Sequence, residues 1–108
     1  MIWELLGSFL LGLAVGYAVC SITVAVLTSL NIKEVSRNAI RESDEEKTRE
    51  LVGQVLTGIV REKEKGDITV ITLDMMNAED EKVAEVTIRS ESVAEDITVG
   101  RRYCGICT

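Results

Sequence analysis

Two thiols three positions apart, in the run Cys104–Gly105–Ile106–Cys107, are the residues whose spacing carries chemistry. A C-x-x-C pair can cycle between dithiol and disulfide, or offer two soft ligands to a metal. In the redox arrangement the first thiol opens a helix, whose N-terminus favours the thiolate. Only Thr108 follows Cys107 in this sequence, so such a helix is not expected. A structural zinc site wants four ligands. Cys104 and Cys107 supply two, so zinc is expected only where two chains share it, beside the plainer expectation that the pair has no chemical role. Arg101 and Arg102 lie next to the pair and favour anionic ligands. The third cysteine, Cys20, sits in an apolar run and reads as a small packing residue.

Other chemistries are poorly supplied. There is no histidine, which removes the commonest general base and metal ligand. Gly53 and Gly58 have the spacing of a phosphate loop, but Ile59 and Val60 stand where Lys and Ser/Thr are required. Asp74, Asn77, Glu79, Asp80 and Glu81 lack the spacing and central glycine of a calcium loop. They read as a solvated turn. The chain carries 12 basic and 18 acidic residues, a poor balance for binding nucleic-acid phosphates. No catalytic or cofactor-binding residue and no small-molecule substrate can be named. The expectation leans away from an enzyme.

The elements that would hold these residues are set by the N-terminal stretch. From Ile2 to Ile32 the only charge is Glu4, and Phe9 to Leu27 is apolar almost throughout. A helix needs roughly 20 apolar residues to cross a bilayer, so residues 1–32 are expected to form a single transmembrane anchor. The N-terminus lacks the basic residues of a cleaved signal peptide, and Trp3 suits the headgroup interface. Lys33, Arg37 and Arg41 follow the run, which predicts a cytoplasmic C-terminal part by the positive-inside rule. Ser8, Gly12, Gly16 and Cys20 recur every fourth residue. On a helix they form a slanting row of small side chains, including a GxxxG, suited to helix packing.

Beyond the anchor, Ile32, Val35, Ala39 and Ile40 continue a helical stripe through a connector at 33–43. Ser43 and Glu46 fit a capping box and predict a helix from there to about Lys65. Its apolar face would be Leu51, Val52, Val55, Leu56, Ile59 and Val60, an interaction face spaced by four. The period then falls to two. Strands are expected at 67–74, 83–91 and 96–103, with a polar turn at 77–81 and with Ile97 and Val99 turned inward. The fold class predicted is α+β: a transmembrane helix, an amphipathic helix, and a three-stranded antiparallel meander within a small domain at 44–108.

The function expected is that of a small membrane protein: an oligomerising subunit, adaptor or regulator, in contact with lipid and with a second copy or another membrane protein. A membrane-permeabilising, holin-like protein is one alternative. A thiol-redox or shared-metal membrane protein acting through Cys104 and Cys107 is another.

Overall fold

A computed structural model describes residues 17–43 and 49–108. They include five strands and a ten-residue helix: β1 (Ala18–Leu27), α1 (Ile32–Arg41), β2 (Val55–Glu64), β3 (Thr69–Met76), β4 (Lys82–Val93) and β5 (Arg102–Cys107). All five strands join one curled, mixed sheet in the order β1-β4-β3-β2-β5. β1 runs parallel to β4, and every other neighbouring pair is antiparallel.

The expected transmembrane helix is corrected here. The second half of the apolar run is β1, not helix. Val19, Ile22, Thr23, Val24 and Val26 are β-branched, and such side chains lose rotamer freedom in a helix but fit a pleated surface. Ala18 and Cys20 turn inward, while Val19, Ser21 and Thr23 turn out. In register, Cys20 lies opposite Val86 and Ile22 opposite Ile88. No helix of the described residues is long and apolar enough to cross a membrane. The description of a single-pass chain with a transmembrane helix is therefore withdrawn. Ser8, Gly12 and Gly16 lie outside the described residues, and Cys20 sits on a strand.

The long amphipathic helix is corrected too. Residues 55–64 form β2, an inner strand of the sheet with β3 on one side and β5 on the other. Its capping box extends into residues outside the described range. Helical spacing and strand alternation overlap in this stretch: Leu56, Gly58 and Val60 are buried, and Thr57 and Ile59 between them are half-buried. Gly58 faces the core, where an added Cβ would meet Leu73 Cδ2 at 3.1 Å, Ile106 Cδ1 at 3.2 Å and Met75 Sδ at 3.2 Å.

The cover over the concave face is α1. Ile32, Val35, Ala39 and Ile40 are all buried and follow the i, i+3, i+4 rule of one apolar face. The helix touches β1, β4 and β5. Glu34 in the first turn and Arg41 in the last complement the helix dipole. The entry turn is tied by side chains: Asn31 Oδ1 accepts from the Thr28 backbone N–H at 2.7 Å, and Asn31 Nδ2 donates to Val26 O at 2.9 Å.

The meander also needs redrawing. β3 and β4 lie near the segments expected to be strands, and Asn77 organises their turn by accepting the Glu79 and Glu81 N–H groups at 3.0 and 2.9 Å. The third strand, expected at 96–103, lies instead at Arg102–Cys107. The residues before it form turns that bury Ile97 but leave Val99 62% exposed. Gly100 N–H donates to Val60 O at 2.7 Å, and Val60 N–H to Arg101 O at 2.9 Å. These bonds bring the chain alongside β2 and start β5.

Candidate functional site

β5 places the thiol pair. Along a regular strand, residues three apart face opposite sides. Here Gly58 pairs with Tyr103 and Leu56 with Ile106, so Cys104 and Gly105 together oppose Thr57. This is a bulge, with one extra residue on β5. Gly105 carries it at φ +80°, a conformation that glycine adopts without steric cost. The extra residue resets the alternation. Tyr103 and Ile106 both turn inward, while Cys104 and Cys107 both stay exposed. The bulge thus returns the two thiols to one face, which strict alternation would not do. Both are free thiols, and the Cys107 thiol donates to Gly105 O at 3.6 Å.

Beside β5 lies a groove of about 370 Å³, lined by Lys33, Glu34, Arg37, Gly105, Ile106 and Cys107. It follows from the sheet's curl, because α1 crosses the space next to this outer strand. Arg37 Nε is buried without a hydrogen-bond partner. Above the groove, Ser29 Oγ donates to Asp96 Oδ2 at 2.8 Å and lies 3.1 Å from the Tyr103 hydroxyl. The turn leaving β1 is thereby tied to β5.

Among the described residues, β1 is the outermost strand at the other side of the sheet, and it has no charged residue in its ten positions. Val19 is 69% exposed and Val26 51%. Long uncharged edges are templates for further strand pairing, and proteins usually blunt them with charge, proline or a bulge. β1 carries none of the first two.

The convex face bears an ion network. A β2 bulge at Arg61 aims its guanidinium at Glu85 and, at 3.6 Å, at Asp74. Lys82 Nζ lies 3.1 Å from both Asp74 and Glu85, and 4.2 Å from the centre of the Tyr17 ring. Burial alone would lower the Lys82 pKa; the Glu85 and Asp74 carboxylates more than reverse this and raise it. The pairing of opposite charges accounts for the cluster as a structural clamp on the chain entering β1.

The remaining sites expected from sequence fall apart. Leu51, Leu56 and Val60 are buried, Ile59 is half-buried, and Val52 and Val55 are exposed at 62% and 57%. They do not share one helical face. Burial raises the Cys20 thiol pKa, opposed by a hydrogen bond with Ser43, which favours the protonated thiol. Among the described residues, no three His, Cys, Asp or Glu side chains are grouped to hold a metal. Sequence reasoning missed the β1 edge and the groove. Alternation within the apolar run was a signal for the edge; nothing local marks the groove, which depends on α1 crossing beside β5.

Together, the fold and these features define a small mixed-sheet module with an uncharged outer strand on one side and an exposed thiol pair on the other. No family model, curated protein or solved structure matches the chain.

Proposed function

We propose that this chain is an oligomerising subunit or adaptor, working beside a membrane and pairing with a second copy through β1. One observation carries the reading: a ten-residue strand without a charge, outermost among the described residues and exposing Val19 and Val26. Antiparallel pairing of two such edges would satisfy their outward N–H and C=O groups and extend the sheet. A two-fold axis would use the same surface on both copies. The membrane enters through the stretch Ile2–Gly16, whose only charge is Glu4 and which leads directly into Tyr17 and β1. Its apolar side chains favour lipid over water.

The test is sedimentation of the full chain in mild detergent, comparing the unaltered protein with Ser21→Lys. Ser21 is exposed on β1, so the substitution leaves the core intact. In a paired edge it would bring like charges together, which is unfavourable. Self-association is expected to weaken by about tenfold or more, the equivalent of ~1.4 kcal/mol. Association unchanged by Ser21→Lys, or an unaltered chain that stays monomeric, would remove this reading.

A further inference from the structure

We infer that Cys104 and Cys107 are half of a tetrahedral zinc site, completed by the same two cysteines of a second copy. Without the extra residue at Cys104–Gly105, Ile106 and Cys107 would exchange sides and one thiol would turn toward the core. With it, both thiols point to solvent on one face of an outer strand. A glycine at φ +80° is the backbone device that allows this.

Ligand chemistry narrows the metal. The chain contains no histidine, and among the described residues no third Cys, Asp or Glu forms a group with both thiols; Glu34 lines the groove with Cys107 but not with Cys104. An all-thiolate donor set selects soft or borderline ions, zinc foremost, and excludes magnesium and calcium. Zinc held by protein alone is four-coordinate. Two ligands per chain then fix the stoichiometry at one metal for two chains. Cys20 cannot complete the set, because it is 2% exposed and packs within the core.

Charge and position agree with sharing. Four thiolates around one divalent zinc leave a net charge of minus two. Arg102 is exposed beside Cys104, and one from each copy would offset it. β5 is outermost, so a second chain can approach without displacing a strand. Binding two thiols from each copy releases their protons and links the chains without oxidation. This interface uses β5 and does not depend on pairing through β1.

The experiment uses the full chain in detergent and reductant, in the Ser21→Lys background, with cobalt(II) as a spectroscopic stand-in for zinc. The expected result is the absorption of a tetrahedral tetrathiolate cobalt centre, saturating at one metal per two chains. The sedimenting mass of the protein should double with metal and return on chelation, and zinc should displace cobalt. Cys104→Ser/Cys107→Ser should lose the spectrum and the doubling while melting at the same temperature, because both side chains are exposed. Cys20→Ala should retain both. Saturation at one metal per chain, a spectrum that survives the double substitution, or no cobalt binding would overturn the shared site. A chain that binds no cobalt but self-associates without metal, and loses that with Ser21→Lys, would reject the zinc site and leave the β1 reading standing.

Discussion

The two outermost strands of this sheet solve opposite problems. β1 has ten residues, no charge, and two valines more than half exposed. β5 has six residues, opens on Arg102 and is bent by a bulge at Gly105. By the usual logic of sheet edges, β5 is protected against further pairing and β1 is not. The difference teaches that edge protection and chemistry need not compete. The bulge that blunts β5 is also what brings Cys104 and Cys107 to one face, while β1, left unblunted, is suited to meeting another strand.

The largest contrast is between the thiols of these strands. Cys20→Arg would bury an unpaired charge beneath α1, at a cost of about 3 kcal/mol or more. Cys104→Arg, on the exposed side of β5, should change stability by no more than about 0.5 kcal/mol. Thermal or urea unfolding of both variants measures the contrast. Equal effects would mean that β1 and β5 are not packed as described.

A smaller effect probes the bulge. Gly105→Ala meets no atom within 4 Å, so its penalty is the left-handed backbone alone, about 1–2 kcal/mol. If the bulge sets the thiol geometry, the same variant should also weaken cobalt binding. Gly58→Ala, across the ladder in β2, is limited by packing instead. Its close neighbours are the flexible ends of Leu73, Ile106 and Met75, so a loss of ~1 kcal/mol is expected, at the low end for overpacking. The two glycines would then differ in kind: only the Gly105 change should affect metal binding.

The smallest effect concerns the clamp where the chain enters β1. Because the Lys82 pKa is raised by Glu85 and Asp74, its contribution to stability is complete below the unfolded-state value, about 10.4. It is lost as pH rises through the higher folded value. The difference in stability between the unaltered chain and Lys82→Met should therefore be constant near neutrality, at most ~1 kcal/mol for such a partly exposed group. It should shrink above about pH 10.4. A difference that grows with alkalinity would show the sign to be wrong.

Local pattern decided which parts were legible. The α1 stripe of Ile32, Val35, Ala39 and Ile40 is unambiguous at helical period, and the alternation of Ala84, Val86 and Ile88 is equally clear at period two. β1 was hidden because a continuous apolar run reads alike as buried strand and as helix. Its Ser21 and Thr23, spaced by two, were the available hint. β2 was hidden by paired apolar residues every four positions, and its strand state depends on partners distant in sequence, β3 and β5. The thiol pair was visible as a motif, but not its common face. That required the bulge, and a bulge is defined by what lies across the ladder, not by the strand's own sequence.

Residues 18–27 form an outer strand parallel to β4. Backbone nuclear Overhauser contacts measured on the full chain in detergent test this pairing most directly. Cross-strand contacts are expected in the register Cys20 with Val86 and Ile22 with Ile88, with strong sequential contacts typical of extended chain. Contacts between residues three apart throughout 18–27, with none to β4, would show a helix there and contradict it.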